Sequence, residues 1–239
     1  MVNVREYKIS GIFQENSTCK TIRVEPCEGK RFDFKPGQFL MLYLLDAAGN
    51  PTDLKRPYSI SSSPTENNYL EVTFKIQGVF TNELSKKKEN DLLGVDGPYG
   101  SFVFDESIKD DLVFIAGGVG ITPFKSMLRY ITSKNLSNSV KLFYSSRYCE
   151  NFLCRSEFEE FKERKSNLDC ILSITGNVIP ENWKGEEGRV DEKMLKSKIG
   201  SFNGKLFYIC GPPPMVNEMV EILSRNGVKN NRIKREGWG

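Results

Sequence analysis

A glycine-rich turn in the second half of the sequence has residue types suited to binding a phosphate. The segment GGVGITP at 117–123 follows the apolar run 112–116 and opens a predicted helix. Glycines let a ligand approach the backbone without a Cβ clash, and a helix N-terminus with free N–H groups suits a pyrophosphate. Pro123 holds the last position of a full G-x-G-x-x-G, so a tight strand-to-helix turn accounts for the segment equally well.

A cysteine stands in a second segment of this kind, CGPPPM at 210–215. The segment ends another apolar run and again opens a predicted helix. Because strand ends in an open α/β sheet line its ligand crevice, Cys210 is predicted at the mouth of a site. A buried structural thiol is the alternative, and position alone does not decide between them.

An arginine, an aromatic ring and a hydroxyl lie within four residues in the first half, in RPYSISSSP at 56–64. Strand alternation places Arg56 and Tyr58 on one face and Ser59 on the other, unless a bulge intervenes. These groups suit a ligand that carries phosphate and an aromatic ring. An ordinary strand with an exposed arginine has the same composition, so both interpretations stay open.

Short strands and turns must position this third segment. Along 69–76, for example, apolar residues alternate with Glu71, Thr73 and Lys75. The predicted strands are 4–13, 20–24, 38–45, 56–62, 69–76 and 92–95, with a short helix at 82–88 and a turn at 96–100. Many short antiparallel strands in about 100 residues predict a small closed barrel.

Strands and helices alternate in the second half, which carries the other two segments. Helices are predicted at 123–133, 155–165, 191–198 and 213–226, and buried strands at 112–116, 140–144, 169–174 and 205–210. This βαβ alternation predicts a parallel sheet with helices on both faces. With a charged boundary at 105–111, the sequence predicts a β-barrel domain at 1–106 and an α/β domain at 107–239.

The composition excludes several kinds of chemistry. The 239 residues include no histidine, which excludes Ser-His-Asp and Cys-His nucleophiles and His-ligated zinc or haem. The six cysteines form no Cys-x-x-Cys pair, so we predict no metal site and free thiols in a reducing cytoplasm. A net charge of +3 gives no nucleic-acid signal. No apolar run approaches the roughly 20 residues that cross a bilayer, so we expect a soluble cytoplasmic protein.

The three segments, in this order and spacing, resemble the ferredoxin–NADP reductase superfamily, which includes cytochrome b5 reductases and the reductase components of oxygenases. KIQGVFT at 75–81 is similar to the family's second flavin segment, and the resemblance extends to KREGW at 234–238. It implies an N-terminal antiparallel barrel that binds FAD and a parallel-sheet domain that binds NAD(P)H, with the two rings meeting at the domain cleft.

The resemblance implies an FAD-dependent NAD(P)H oxidoreductase. A hydride would pass from NAD(P)H to flavin N5, and electrons would then leave to a separate acceptor such as a ferredoxin, a flavodoxin or an oxygenase component. A free-flavin reductase and a non-catalytic electron-transfer subunit of a larger complex are the alternatives. Neither a nucleic-acid partner nor a membrane span is expected.

The resemblance also assigns roles in the flavin segments. Arg56 would hold the flavin diphosphate with its planar fork of donors, Tyr58 would pack on the isoalloxazine, and Ser59 would hydrogen-bond near N5. The other flavin contacts that it implies are Pro57, Lys75, Gly78, Val79, Phe80 and Thr81.

In the second half, the resemblance places Cys210 beside nicotinamide C4. Glu236 resembles the acidic residue that follows the last strand in many members, near the flavin edge, and Trp238 stands where an aromatic covers the flavin. Ser59, Cys210 and Glu236 are therefore the predicted catalytic residues. The remaining nucleotide contacts that it implies are Gly118, Val119, Gly120, Thr122, Pro123, Gly211, Pro212 and Met215.

The strand end after the glycine turn favours NADPH over NADH. In dinucleotide folds this position reaches the adenosine ribose, where an NAD-binding protein usually places a carboxylate. Residues 144–149 contain none, and Ser145, Ser146 and Arg147 instead offer hydroxyls and a cation suited to a 2′-phosphate. Arg189 would add a second cation. The alternatives for Arg147 are a solvated loop residue and a contact to the pyrophosphate common to both nucleotides.

Overall fold

The computed structural model describes residues 4–237, which form two compact units. The first unit comprises Met1–Asp105 together with Lys125–Tyr130, and the second comprises Glu106–Phe124 together with Ile131–Gly239. Six residues from the middle of one helix therefore belong to the first unit. The functional boundary between residues 106 and 107 stays a prediction.

An antiparallel six-stranded sheet forms the first unit, as predicted. Its strands are β1 (Arg5–Gln14), β2 (Cys19–Pro26), β3 (Phe39–Leu45), β4 (Pro51–Ser59), β5 (Leu70–Lys75) and β6 (Leu92–Tyr99), in the order β4-β3-β6-β1-β2-β5. Just beyond β4, Ile60 forms a bridge with Val72, and the Ser61 amide donates to the Glu71 carbonyl at 2.8 Å. These bonds join the two outer strands and close the barrel.

Apolar side chains on the inner face of the strands fill this barrel. The short helix α1 (Val79–Lys86) follows β5 and adds Phe80 and Leu84 to the same core. Burial of each large apolar side chain stabilises the fold by about 1.5–3 kcal/mol. Other members of this core are Tyr7, Ile9, Ile22, Val24, Leu40, Leu42, Val72, Phe74, Leu93 and Val95.

The alternating sequence of strand β5 predicts one buried and one exposed face, but both faces are buried. Its polar residues Glu71 and Thr73 are as inaccessible to solvent as its apolar ones. Polar partners cover this second face. The Thr73 hydroxyl shares a hydrogen bond of 2.7 Å with Thr21, and Glu71 pairs with Arg23 and Arg129. The polar face of β5 is therefore an internal surface.

Two further predictions in this unit were wrong in their bounds. The helix predicted at 82–88 begins at Val79, because the Thr81 hydroxyl bonds to both the amide and the carbonyl of Gln77 and closes the turn early. The strand predicted at 56–62 ends at Ser59, after which the chain stays tied to the sheet by the Ile60 bridge and the Ser61 amide.

Strand β6 continues through the turn predicted at 96–100. It pairs with β3 up to Tyr99 opposite Phe39. A register shift between Phe39 and Met41 absorbs the Gly97-Pro98 pair, as a bulge does where proline cannot donate to the ladder.

A parallel six-stranded sheet with helices forms the second unit, as predicted. Its strands are β7 (Asp111–Gly117), β8 (Val140–Ser146), β9 (Leu168–Ile174), β10 (Glu186–Glu187), β11 (Lys205–Gly211) and β12 (Ile233–Gly237), in the order β10-β9-β8-β7-β11-β12. The helices are α2 (Thr122–Ser133), α3 (Arg155–Arg164), α4 (Glu192–Ile199) and α5 (Pro213–Arg225). The outer strands β10 and β12 are not among the predicted ones.

Within residues 4–237, every helix is too short or too polar to span a bilayer.

The strand order brings the candidate segments of this unit together. Strand β7 lies between β8 and β11, with Gly117 opposite Ser145 and Ala116 opposite Cys210. The chain proceeds from β7 to β8 and β9 on one side and later returns to β11 on the other. Ligands of open α/β sheets bind at such a switch point, outside the carboxyl ends of the strands.

Candidate functional site

Strand β4 presents an arginine that has no acidic partner among residues 4–237. From Lys55 to Ser59 the strand pairs with β3 without a register shift, so Arg56 and Tyr58 lie on one face. The Arg56 side chain is exposed, and its Nη1 donates to the Lys55 carbonyl at 2.7 Å. Its charge is therefore available to an anion such as a phosphate.

Tyr58 and Ser59 follow on the same strand, after the half-buried Pro57. The Tyr58 ring packs against Phe74 and Phe80, with ring centroids 6.2 and 6.0 Å away. Burial raises the pKa of the Tyr58 phenol, so this ring stays neutral. Ser59 is buried, and within the described chain its hydroxyl makes no hydrogen bond, which leaves it available to a polar ligand atom.

The start of α1 offers backbone donors. Gly78 precedes the helix with φ 83°, and no side chain caps it. A Cβ on Gly78 would meet nothing within 4 Å, and Val79 is 69% exposed. Since the first N–H groups of a helix have no partner within the helix, this open turn fits a phosphate-bearing cofactor.

Three other predicted flavin contacts surround this turn. Lys75 is exposed at the end of β5. The Phe80 side chain is buried in the barrel core, and the Thr81 hydroxyl is engaged with Gln77. Phe80 and Thr81 can thus offer a ligand only their backbone N–H groups without losing these contacts.

In the second unit, the glycine turn after β7 forms one turn of 3₁₀ helix, Gly118–Ile121, that runs directly into α2. Gly118 has φ 55°, which glycine adopts without strain, and a Cβ there would meet nothing within 4 Å. The Thr122 hydroxyl donates to the Val119 carbonyl at 2.9 Å and fixes the turn, and Pro123 is buried behind it. A helix start with open space beside it fits a pyrophosphate.

The carboxyl end of β11 packs against this turn with no room for a side chain. A Cβ on Gly120 would collide with the Cys210 carbonyl oxygen and come within 2.8 Å of the Gly211 Cα. Cys210 is fully buried in β11, between Ala116 of β7 and Glu236 of β12. Its backbone therefore borders the glycine turn, while its thiol lies inside the unit.

Glu236 lies inside β12, a strand that the sequence did not predict, opposite Cys210. Its place near the flavin edge stays a prediction. Residues 233–237 are mostly charged or exposed because β12 is an outer strand, so their sequence gives no apolar signal. The predicted Trp238 lies outside the described residues.

Three prolines at the start of α5 remove donors from its first turn. Pro212 is the N-cap residue, and Pro213 and Pro214 are the first two helical residues. Since proline has no N–H, the first available amide is that of Met215. The Met215 sulfur lies against Gly117, where a Cβ would approach it to 2.7 Å. This helix start therefore forms an apolar wall beside the glycine turn.

The carboxyl end of β8 carries the residues predicted to contact the ribose. Ser145 and Ser146 are buried, and the Ser145 hydroxyl donates to the Ala116 carbonyl at 3.4 Å. Arg147 is exposed, with its guanidinium carbon 5.4 Å from the centroid of the Tyr148 ring. It makes no ion pair within the described part of the chain, so this strand end holds a cation suited to an anionic group.

A further cation in this unit was not predicted. The Arg155 guanidinium stands 5.7 Å from the centroid of the Trp183 ring, which stacks on Phe152 at 5.6 Å with the planes 7° apart. Arg155 and the predicted Arg189 both lack an acidic partner among residues 4–237. No sequence spacing links residues 152 and 183, because they meet only through the pairing of β8 with β9.

Two family profiles match the chain. The oxidoreductase FAD-binding domain matches residues 14–104, and the oxidoreductase NAD-binding domain matches residues 114–221. The first match covers most of the antiparallel barrel and the second most of the parallel sheet, and together they define an FAD- and NAD-binding oxidoreductase. The chain belongs to the ferredoxin–NADP reductase superfamily.

Similar proteins include subunits of larger enzymes. The chain is 31% identical over 211 residues to the glycine betaine monooxygenase reductase subunit of Pseudomonas aeruginosa, covering 87% of this chain and 57% of that protein. It is 30% identical over 213 residues to sulfhydrogenase 2 subunit gamma of Pyrococcus furiosus, covering 85% and 72%. The chain thus spans little more than half the length of the first of these relatives.

A solved structure has the same fold. The flavohem-like FAD/NAD binding domain of a nitric oxide dioxygenase from Vibrio cholerae matches with a TM-score of 0.87 and 20% identity over 98% of each chain.

Proposed function

We propose that this chain transfers reducing equivalents from NAD(P)H through bound FAD to a separate electron acceptor. The observation that supports this most directly is a pair of helical turns, the start of α1 in the FAD-matching segment and the turn Gly118–Ile121 that precedes α2 in the NAD-matching segment. Each has a glycine beside open space, and the first amides of a helical turn have no partner within that turn. Bound FAD would supply the electronic chemistry, since a flavin accepts a hydride at N5 and can return electrons singly.

The residues of the first unit bind and orient the flavin in this proposal. Arg56, which has no acidic partner within residues 4–237, directs its guanidinium to the diphosphate, and the first turn of α1 adds backbone donors. Tyr58, held by Phe74 and Phe80, presents a neutral aromatic surface to the ring. The unengaged Ser59 hydroxyl donates a hydrogen bond near N5 and fixes the edge that receives the hydride.

The residues of the second unit hold the nicotinamide nucleotide in this proposal. The turn at 118–120 and Thr122 receive the pyrophosphate, and the end of β11 at Cys210 and Gly211 receives the nicotinamide. Such a site accelerates hydride transfer by placement, because holding donor and acceptor at about 3–3.5 Å supplies much of the rate.

We propose that the acceptor is a separate redox protein such as an oxygenase component, a ferredoxin or a flavodoxin. The name of one relative, a monooxygenase reductase subunit, supports the first of these. The six cysteines are all free thiols, which supports a place in a reducing cytoplasm.

The test is anaerobic mixing of purified, FAD-loaded protein with NAD(P)H, followed by addition of ferricyanide or cytochrome c. We expect bleaching of the flavin absorbance and its return when the acceptor is added. Protein that turns over only with excess free FAD, and loses its flavin on dialysis, would instead be a free-flavin reductase. Protein that retains flavin but is not reduced by either nucleotide would contradict the proposal.

Cys210 tests the nucleotide half of the site. Cys210→Ser should slow flavin reduction by NAD(P)H about tenfold in stopped flow, because a hydroxyl in place of the buried thiol disturbs the end of β11, which positions the nicotinamide in this proposal. FAD content should not change. Cys170→Ser, a substitution of another cysteine in the same sheet, is the control. A large fall in melting temperature with an unchanged reduction rate per folded molecule would show that Cys210 is a structural thiol.

We propose NADPH as the preferred donor, on the support of Arg147, which has no acidic partner within the described residues, and the absence of carboxylates at 144–149. Arg147→Ala should lower kcat/KM for NADPH by an amount equivalent to about 1.5–3 kcal/mol and spare NADH. Arg155→Ala and Arg189→Ala, measured in the same way, show whether either adds a second contact. Equal losses for both nucleotides, or a wild-type preference for NADH, would refute the assignment.

A further inference from the structure

A buried carboxylate on β5 links three elements of the first unit. The Glu71 side chain is 3% exposed. Arg23 of β2 donates through Nε and Nη2 to Glu71 Oε1 at 3.1 and 2.9 Å, and Arg129 of α2 donates to Oε2 at 2.6 Å. Burial alone would raise the pKa of Glu71, but the charges of Arg129 and Lys125 hold it below its ordinary value, so the carboxylate is ionised at neutral pH.

The backbone of Glu71 is tied to the segment that follows β4. The Ser61 amide donates to the Glu71 carbonyl at 2.8 Å, and the Glu71 amide donates to the Ser62 hydroxyl at 3.0 Å. The Ser126 hydroxyl of α2 donates to the Ser62 carbonyl at 2.6 Å. Residues 61 and 62 are therefore held by strand β5 and by helix α2, the two elements that the Glu71 carboxylate joins through Arg129.

Arg129 extends this network to the next turn. Its Nη1 also approaches Glu66 Oε2 at 3.4 Å, and the same carboxylate oxygen accepts from the Ser63 amide at 3.0 Å. One guanidinium thus connects both ends of the stretch from Ser63 to Glu71.

Stability alone does not account for a buried ion pair, because well-packed apolar residues of similar volume often stabilise a protein as well or better. The ion pair does fix the relative positions of its side chains, because the hydrogen bonds from Arg23 and Arg129 to Glu71 are directional. The geometry that it fixes is that of residues 61–63, which follow the segment Arg56–Ser59 after the single residue Ile60.

We propose that Glu71 is a positioning residue for the flavin-binding strand β4: paired with Arg129 and Arg23, it fixes Ser61 and Ser62 and thereby the end of the strand at Ser59. This inference rests on the proposed function, because it assigns the segment Arg56–Ser59 to the flavin. Glu71 touches neither cofactor nor substrate and acts only through the segment that it holds.

The test compares Glu71→Gln, which keeps volume and removes charge, with wild type. In the apo protein, hydrogen exchange at residues 59–63 should become faster. The Kd for FAD should rise about tenfold, since two arginines would lose their counter-charge. Thr73→Val, on the same strand and face, loses the bond to Thr21 and serves as a control for general destabilisation of the barrel. It should leave both measurements close to wild type.

Equal effects of Glu71→Gln and Thr73→Val would overturn the inference, as would a Glu71→Gln protein with wild-type exchange and wild-type affinity. If Glu71→Gln does not fold, Arg129→Lys replaces it in the test. This variant keeps the positive charge, and hydrogen exchange at residues 59–63 and the Kd for FAD are measured in the same way. Wild-type protein that binds no FAD contradicts the proposed function, whereas exchange in the apo protein still decides whether Glu71 fixes the segment.

Discussion

Replacing Arg56 with alanine is expected to remove tightly bound FAD from the purified protein. Arg56 is exposed and has no acidic partner among residues 4–237, so the substitution breaks no ion pair within the described fold. A hydrogen bond to a charged group contributes about 1.5–3 kcal/mol, which corresponds to an increase in the Kd for FAD of about 10- to 150-fold. The measurement is the flavin-to-protein ratio after dialysis, followed by titration of the apo protein with FAD.

Lys55→Ala is the matched control, because Lys55 is the adjacent exposed cation on the same strand, with its ammonium 5.3 Å from the centroid of the Tyr43 ring. Strand alternation directs it to the opposite face from Arg56. It should keep full flavin content. An Arg56→Ala protein with one FAD per chain after extensive dialysis would show that the diphosphate is held elsewhere.

Replacing Gly120 with alanine is expected to give the largest loss of nucleotide-driven reduction. The new methyl would collide with the Cys210 carbonyl oxygen, so either the glycine turn or the end of β11 must move by about 1 Å. A displacement of that size between reacting groups can cost about a hundredfold in rate. Stopped-flow reduction by NAD(P)H measures it, and FAD content should remain at the wild-type level.

Gly204→Ala controls for a glycine substitution that only strains the backbone. Gly204 has φ 74° and would meet nothing within 4 Å, so alanine there costs about 1 kcal/mol of stability without touching the turn. A wild-type reduction rate in Gly120→Ala would mean that this turn does not receive the nucleotide. A loss of reduction in both variants would indicate general destabilisation of the second unit.

Helices and strands could be predicted from the sequence where they have a continuous apolar face, either on one side or on both. The all-apolar run that became β7 and the helix that became α5 were read correctly, and so were the two sheet types. Strand β12 was not, because an outer strand buries little and its residues IKREG are mostly polar. The buried Glu71 was also missed, since its partners Arg23 and Arg129 are distant in sequence.

Local motifs predicted the backbone at part of the candidate site. Gly118 and Gly120 lie in the strand-to-helix turn that was expected after β7, and Arg56 lies in a strand, as expected. Their roles in binding stay predictions. The internal bonding of Thr81 and the stacking of Trp183 on Phe152 were not predictable. Both depend on contacts that only the folded chain creates.

The helical turns that follow β7 and β11 differ in the number of backbone donors that they offer. The turn Gly118–Ile121 presents amides beside open space at Gly118, whereas Pro213 and Pro214 leave Met215 as the first amide of α5. An anionic end of a bound molecule is attracted to the first and gains little from the second, which better suits an uncharged ring. We therefore expect an elongated ligand that is charged in its middle and flat at one end to place its charged part at the first turn and its flat end at the second.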